Sequence, residues 1–390
     1  MSEIWRWEPD WSQPVVERLE WLTDIRESTS GIEYRERLRE HPRRSPEFRA
    51  VNLGDGYRDL ETALWSTGVD EWIMPLWWDV AISSAGTSGS WTGPGIGQYR
   101  DWRFSPAFVV ATNGDDWEAF TANVIGSNQI GVAGGIPAHL QGAGIRIYPA
   151  RTAFVSPTIT RNTVTGDIET VDVSASLIDY TSPAGVDLPA SLDGLDVLDD
   201  PQNRRSAQTA TFSRRVNVVD YRTGRRGFVD DPGNPSVDRG AEYLHDDRET
   251  LWGRRRWLQK IGGRHGEFLR PTGNRDLAVV YIEQSGSNTV IGVEFVDYGD
   301  TYWGQEPRQR VSIKMRDGQY HHANIIDFED DAGLDRLTLD LPWDDFTLDQ
   351  IRQVSWLEPV RLMSDSVDIQ WVSSGIAELS LAARTLREVA

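Results

Sequence analysis

The chain has 390 residues, of which 39% are hydrophobic and 26% charged, as is typical of a soluble protein with more than one domain. It has no cysteine, which excludes disulfides, thiolate metal sites and cysteine nucleophiles, while its 17 tryptophans are well above average usage. The formal charge of −20 opposes broad binding to the phosphates of nucleic acids.

The sequence shows no pattern typical of a membrane-spanning helix or of a secretory signal. No stretch approaches the roughly 18 uninterrupted apolar residues that a spanning helix needs. The start, MSEIWRWEPDW, has no basic region followed by an apolar run, so it does not resemble a secretory signal. We therefore predict no membrane span and synthesis in the cytoplasm.

The N-terminal part predicts two short helices followed by strands. Residues 13–28 and 31–44 carry apolar residues at helical spacing, and Pro42 ends the second segment. From Arg43 onward apolar and polar residues alternate, which is the period of half-buried strands. The fold class is therefore predicted as mainly β with a few short helices, in β-sandwich or β-barrel domains of the α+β type. Clear strand patterns lie at 108–113, 145–155 and 167–180.

A domain boundary is predicted near the middle of the chain. Residues 182–206 are rich in proline, aspartate, serine and glycine and show no alternation. We expect them to be a linker between an N-terminal β-rich domain with a helical start, 1–181, and a related C-terminal β-rich domain, 207–390.

The second half repeats the mixture of elements. Residues 209–224 predict a strand and 225–240 a polar, proline-broken loop. A helix is predicted at 246–263, because acids lie at its start, bases towards its end and a glycine after it. The remaining third shows the most regular strand alternation in the chain.

Two segments share a pattern that predicts an internal duplication. Each has Glu-Thr and Leu-Trp on a helix, then an aromatic residue, a proline three positions later, and an aspartate before an apolar strand. The second copy needs an insertion near 253–261. The predicted equivalent pairs are Trp72 with Phe268, Pro75 with Pro271, and Asp79 with Asp276.

The stretch EWIMPLWWDV, residues 71–80, and two basic clusters are the predicted interface anchors. Dense aromatic residues serve as domain core or as contacts between subunits, and arginines in an acidic chain suit ion pairs with a neighbour. We expect Trp72, Pro75 and Leu76 to pack inward and Trp77 or Trp78 to be available to a neighbouring subunit. The full predicted set is Trp72, Pro75, Trp77, Trp78, Arg43, Arg44, Trp252, Arg254, Arg255, Phe268 and Pro271.

No motif for catalysis, a metal or a nucleotide emerges. The glycine-rich tracts at 83–100 and 131–144 lack the phosphate-binding Gly-Lys-Ser/Thr run. Adjacent His321 and His322 would point to opposite faces of a strand. Neither His-Glu-x-x-His nor Gly-x-Ser-x-Gly is present, and sixty acids make carboxylate proximity uninformative. We predict no enzyme activity, no cofactor and no metal.

Two patterns together carry a family resemblance. The second-half stretch GGRHGEFLRPTGNRDLAV, residues 262–279, has a glycine-rich turn before a proline and an acidic strand start. The N-terminal pattern ends in MPLWWD and consists before it of Arg18, Leu19, Trp21, Leu22, Thr23, Asp24, Gly31, Glu33, Arg35, Leu38, Arg39, Pro42, Arg43, Arg44 and Ser45. Both resemble tail-tip proteins of long-tailed, siphovirus-like phages and prophages, of the distal tail or baseplate hub families. One departure is Leu269, where a tryptophan is expected.

This resemblance implies a structural virion protein with two related tail-tube-like domains. It implies a closed ring, a trimer or a hexamer of this chain, around the tail channel and between the tail tube and the host-recognition parts. DNA would pass through the lumen without specific binding, and neighbouring tail-tip or baseplate proteins would be partners. The protein would reside in the virion after assembly in the host cytoplasm.

A different class of function is left open by the aromatic residues. Exposed aromatic rings beside acids can stack on sugars. The alternative is therefore a carbohydrate-binding or carbohydrate-cleaving tail component, with Trp117 and Trp303 as candidate contacts.

Overall fold

Strands dominate the computed structural model of the chain, which confirms the predicted mainly-β class. The described part contains three helices: α1 Asp55–Thr67, α2 Arg248–Ile261 and α3 Tyr298–Thr301. The structure describes residues 3–28, 31–67, 71–102, 107–166, 168–178, 183–203, 205, 207–214, 216–220, 222–224, 226–230, 235–331, 333–342 and 347–387.

The described residues of the first half form fifteen strands and helix α1. They are β1 Glu3–Ile4, β2 Val15–Glu20, β3 Thr23–Glu27, β4 Glu33–Arg37, β5 Arg43–Leu53, β6 Trp72–Pro75, β7 Ala81–Ile82, β8 Ala85–Gly86, β9 Ser90–Thr92, β10 Ala107–Thr112, β11 Trp117–Gly126, β12 Gln129–Val132, β13 Arg146–Val155, β14 Thr160–Thr165 and β15 Ile168–Leu177.

The described residues of the second half form sixteen further strands together with α2 and α3. They are β16 Ser191–Leu192, β17 Leu195–Asp196, β18 Gln202–Asn203, β19 Ala210–Ser213, β20 Val216–Asp220, β21 Arg226–Asp230, β22 Ser236–His245, β23 Glu267–Pro271, β24 Val279–Ser285, β25 Asn288–Glu294, β26 Arg310–Met315, β27 Tyr320–Asp331, β28 Leu334–Pro342, β29 Ile351–Leu362, β30 Ser366–Ser373 and β31 Ile376–Thr385.

The two helices predicted near the N-terminus are wrong, because this region forms strands β2, β3 and β4. In β2 the inward residues are Val15, Glu17 and Leu19, so a buried acid hides the alternation that would have indicated a strand. The predicted polar loop at 225–240 also contains β21 and the start of β22. The predicted helix at 246–263 is confirmed as α2.

Two stretches of the chain share one order of strand pairings. In the first, β14, β15, β5 and β2 pair in that order, and in the second β30, β31, β22 and β19 do, all antiparallel. A helix follows β5 and β22 and leads to β6 and β23, which pair with β13 and β29. We call residues 3–178 the first unit and residues 196–387 the second unit.

The register of these pairings supports two of the three predicted equivalences. Trp72 lies opposite Ala153 of β13, and Ala153 also pairs with β15. In the same way Phe268 lies opposite Val360 of β29, and Val360 also pairs with β31. Pro75 and Pro271 then both lie three residues further along. The third pair is offset by one, because Leu277 takes the place of Ala81 on the pairing strand. Whether the units arose by duplication stays a prediction.

The predicted linker contains the first strand segment of the second unit. In the first unit β1 pairs in parallel with β6, and the N–H of Trp5 donates to the carbonyl of Ile73 at 2.9 Å. In the second unit Val197 forms a parallel bridge with Leu269, and the N–H of Leu198 donates to the Leu269 carbonyl at 2.8 Å. These contacts are equivalent. Trp5, Val197, Leu198 and Leu269 are buried, and Ile73 is half-buried.

The two units are joined edge to edge. Strand β2 of the first unit pairs antiparallel with β30 of the second, from Val15 opposite Trp371 to Glu20 opposite Ser366. The result is a continuous sheet of eight strands in the order β14, β15, β5, β2, β30, β31, β22, β19. One core beneath it contains residues of both units, so the cores do not follow the predicted division at 182–206.

Each unit carries an inserted β subdomain at the same point of its chain. The insertion lies between β6 and β13 in the first unit and between β23 and β29 in the second. Strands β7 to β12 surround one separate core, which includes Trp91 and Ile147. Strands β24 to β28 surround another, which includes Tyr298 and Trp356. In the described ranges, none of the helices is long and apolar enough to cross a membrane.

Candidate functional site

Most of the stretch 71–80 is buried. The side chains of Trp72, Trp77 and Trp78 are 1%, 2% and 0% exposed, and Pro75 is also buried. The prediction that Trp77 or Trp78 is available to a neighbour is therefore wrong for the folded chain. Both rings are covered by the chain's own strands and helices.

Trp78 connects the two units by stacking. Its ring lies 5.7 Å from that of Trp371, with an angle of 15° between the planes. Trp371 belongs to β30, the strand that joins the second unit to the first. Trp77 instead packs edge-on against Phe48 and Tyr148 within the first unit. The two adjacent tryptophans therefore hold different parts of the core.

A buried charge cluster lies beside this stack. Arg255 of α2 donates to Glu17 of β2 at 2.9 Å and to Asp79 at 3.1 Å. Arg44 of β5 donates to Glu17 at 2.7 Å and lies 2.8 Å from a carboxylate oxygen of Asp101. All five residues are 5% exposed or less. Arg255 comes from the second unit and the other four from the first, so the cluster fixes the units against each other.

The charges in this cluster stabilise one another in spite of burial. Burial would raise the pKa of Glu17, but Arg255 and Arg44 outweigh it and hold that pKa below its ordinary value. Burial would lower the pKa of Arg255, but Glu17, Asp79 and Asp101 raise it above its ordinary value. Glu17 and Arg255 are therefore held in their charged forms, and removing one partner would leave an uncompensated buried charge.

Two further arginines extend the cluster. Arg248, at the start of α2, donates to Asp79 at 3.1 Å and to the carbonyl of Trp78 at 2.9 Å. Arg151 of β13 donates to the carboxylate of Asp101 at 3.1 Å. The start and end of α2 are set by its caps, because Asp247 caps the first turn and Gly262 takes the left-handed conformation after the last.

The other predicted anchors have different surroundings. Arg254 forms an ion pair with Asp200 within the second unit, and Trp252 is half-buried with its ring 5.4 Å from the Arg255 guanidinium. Phe268 is buried edge-on against a tryptophan of α2, and Pro271 is also buried. Arg43 is exposed on the outer face of the eight-stranded sheet. We expected Arg44, Arg254 and Arg255 to form ion pairs with another subunit. In the structure their described partners are carboxylates of the same chain.

The acids of the cluster were missed from the sequence. Glu17 takes an inward position between Val15 and Leu19 of β2, and an acid at that position hides the apolar alternation that would have marked a strand. Asp79 was singled out only for the repeat, and Asp101 is far along the chain from its partners, so its role depends on the tertiary fold.

The outer face of the eight-stranded sheet carries acids, small polar residues and some exposed apolar side chains, among them Val51, Leu244 and Val372. Side chains that point away from the core alternate with the buried ones along each strand. Four outward arginines, Arg18, Arg43, Arg49 and Arg384, are outnumbered by seven outward acids. These acids are Glu20, Glu47, Asp172, Asp238, Glu242, Asp368 and Glu378.

A cavity of about 650 Å³ lies in the second unit, next to its inserted subdomain. Its lining includes the three exposed arginines Arg275, Arg316 and Arg352, together with Asp349 and several apolar side chains. Among the described residues, no group of three or more His, Asp or Glu side chains could hold a metal ion. His322 lies 3.3 Å from Asp199, and that contact does not extend to a third ligand.

Comparison of the sequence with protein-family models and with curated proteins gives no match. The fold and the geometry of the chain itself therefore carry the functional argument.

Proposed function

We propose that this protein is a structural virion protein of a long-tailed phage or prophage. It acts as a distal tail or baseplate hub component, which forms a ring around the tail channel and joins the tail tube to the host-recognition parts. Its partners are further copies of itself, the tube and the neighbouring tail-tip proteins, and it assembles in the host cytoplasm before it resides in the virion.

One observation carries this proposal. Two units with the same strand order are joined by β2 and β30 into one continuous sheet, rather than being separate domains on a flexible linker. A repeated unit that joins to its neighbour through a rotation builds a closed ring if the rotation closes. Three chains with two units each would present six such units around an axis.

The charge distribution agrees with a channel for DNA. The outer face of the sheet has seven acids against four arginines, and its remaining side chains include serine, threonine and glutamine together with exposed valine, leucine and isoleucine. A lumen lined by this face would repel phosphates and would let DNA slide without binding. We therefore propose passage of DNA without specific recognition, and a structural rather than an enzymatic role.

The test is the solution mass of the purified chain by light scattering, with negative-stain images of the same sample. We expect closed rings with a central hole, of threefold or sixfold symmetry. A chain that stays monomeric at every concentration, or oligomers without a central hole, would contradict the proposal.

A second candidate is glycan binding by the inserted subdomain of the second unit. Trp303 is 42% exposed and packs against Tyr298 and Phe328, so a rigid aromatic face reaches the solvent. Trp117, the other predicted contact, is half-buried and stacks on Tyr148. Glycan-array binding that is lost in Trp303→Ala and kept in Trp65→Ala would favour this candidate.

A further inference from the structure

The eight-stranded sheet ends in two edge strands that are equivalent to the pair joining the two units. Strand β14 occupies the place in the first unit that β30 occupies in the second, and β19 occupies the place of β2. Within the described part of the chain, no strand pairs with the outer edge of β14 or of β19. Unpaired edges of this kind are ready to pair with another strand.

We propose that β19 of one copy of this chain pairs antiparallel with β14 of the next copy, repeating the intrachain pairing of β2 with β30. This deepens the proposed ring, on which it rests, by assigning the surface and the register that join the chains. The occupant of each edge is a second copy, because the complementary edge lies on the same chain and its geometry is already present in the β2–β30 contact.

The first step fixes the equivalent residues of β14 and β30. Arg161 pairs with Val171 of β15, and Ile369 pairs with Leu379 of β31. Leu177 of β15 pairs with the residue opposite Trp72, and Thr385 of β31 pairs with the residue opposite Phe268. Val171 lies six residues before Leu177, and Leu379 lies six residues before Thr385. Arg161 and Ile369 are therefore equivalent.

The second step fixes the equivalent residues of β2 and β19. Glu17 pairs with Pro46 of β5, and Ala210 pairs with Arg239 of β22. Two residues after Pro46, Phe48 pairs with Val173 of β15, and two residues after Arg239, Ala241 pairs with Leu381 of β31. Val173 and Leu381 are equivalent, so Pro46 and Arg239 are equivalent too. Glu17 and Ala210 are therefore equivalent.

The third step gives the register between copies. Inside the chain the residue at the Glu17 position lies opposite the residue at the Ile369 position. With the equivalents inserted, Ala210 of one copy lies opposite Arg161 of the next, and Thr211 lies opposite Thr160. Both threonines are exposed. This neutral pair takes the place of Arg18 and Asp368, which form an ion pair of 2.8 Å within the chain.

The hairpins provide an independent observation. The β3–β4 hairpin of the first unit reaches onto the second unit, where Glu33 accepts from Arg361 at 2.6 Å. The equivalent hairpin of the second unit, β20–β21, exposes apolar side chains such as Val218 and Phe228, at 54% and 69%. The first-unit residue at the position of Arg361 is Phe154, which is itself 47% exposed. A neighbouring copy would bring these apolar surfaces together.

Helix α1 supports the same arrangement. Helix α2 of the second unit lies against the first unit through Arg255 and Arg248. Helix α1 is on the β14 side of the first unit, where Glu61 lies 3.7 Å from Arg161, so the same step places it against the neighbouring copy. Trp65 of α1 is 85% exposed, the most exposed tryptophan among the described residues. Its ring would be buried on assembly.

The test uses the absence of cysteine in the chain. The variant Thr160→Cys with Thr211→Cys has two thiols at opposite ends of the sheet, seven strand spacings or about 33 Å apart along it. A disulfide needs Cα atoms about 4.4 to 6.8 Å apart, so only an intermolecular bond can form. We expect covalent oligomers on mild oxidation, reversed by dithiothreitol, on non-reducing gels of the full chain.

The matched control is Thr160→Cys with Ala210→Cys. Its second thiol is one residue out of register and points to the other face of the sheet. We expect roughly tenfold less cross-linking than for the in-register pair, since antiparallel neighbours on opposite faces cannot meet the disulfide geometry. Equal cross-linking of the two variants would overturn the register.

A second measurement separates this inference from the proposed function. If light scattering shows oligomers of the unmodified protein but the in-register pair does not cross-link, the edge assignment is wrong and the ring function stands. If the unmodified protein is monomeric at every concentration, both are contradicted. The variant Trp65→Ala should weaken self-association roughly tenfold and leave the monomer folded, as judged by circular dichroism. Unchanged association would contradict the placement of α1.

Discussion

The buried carboxylate of Glu17 gives the most direct test of how the units are held together. We consider Glu17→Gln, which keeps the size of the side chain and removes its charge. Glu17 is 1% exposed and accepts from Arg44 at 2.7 Å and Arg255 at 2.9 Å. The amide leaves both guanidinium groups with less compensation in a buried site.

The expected loss is about 3 to 5 kcal/mol in the free energy of unfolding, the range for removing one partner of a buried ion pair. With a urea dependence of about 3 kcal/mol/M, the unfolding midpoint would fall by roughly 1 to 2 M. Tryptophan fluorescence is the assay, because Trp371 donates to Glu17 at 3.3 Å and stacks on Trp78.

The matched control is Glu47→Gln on the neighbouring strand. The Glu47 side chain is 37% exposed and pairs with Arg18 on the outer face of the sheet, where water screens the charges. An exposed pair contributes about 0 to 1 kcal/mol, so its midpoint should barely change. If Glu17→Gln behaved like Glu47→Gln, the cluster would not be what holds the second unit against the first.

The same carboxylate predicts acid sensitivity. The pKa of Glu17 is lowered in the folded chain, so its contribution to stability is complete above the unfolded pKa of about 4.3. That contribution is lost as the pH falls through the lower, folded pKa. Urea midpoints measured between pH 7 and pH 3 should therefore fall less steeply for Glu17→Gln than for the unmodified chain.

Three further substitutions test other parts of the fold. Trp78→Ala should cost about 3 to 5 kcal/mol in thermal or urea unfolding, because it empties a fully buried site against Trp371, and wild-type stability would contradict its role in the core. Gly262→Ala should cost about 1 to 2 kcal/mol, since φ is 64° there and a Cβ would overlap the Arg37 guanidinium. Gly253→Ala, in the middle of the same helix with open space around it, should instead stabilise by up to about 1 kcal/mol, and a loss in urea unfolding would refute this.

Local sequence patterns determined much of the strand framework and both long helices. Alternation predicted strands such as β26 and β31, and the cap residues predicted α2, because these signals depend only on neighbours in the chain. The equivalence of Trp72 with Phe268 and of Pro75 with Pro271 was predicted from a short shared sequence pattern, and the sheet register supports it.

The tertiary structure decided what the sequence could not. A buried acid in β2 broke the apolar alternation, and only its distant partners Arg44 and Arg255 show why a charge is tolerated there. Trp77 and Trp78 were assigned to a subunit interface, although the packing of both units covers them. Burial and edge pairing depend on residues far apart in the chain. Local sequence patterns therefore predicted strands, helix α2 and the repeated pattern, and the tertiary fold decided which surfaces remain for a neighbour.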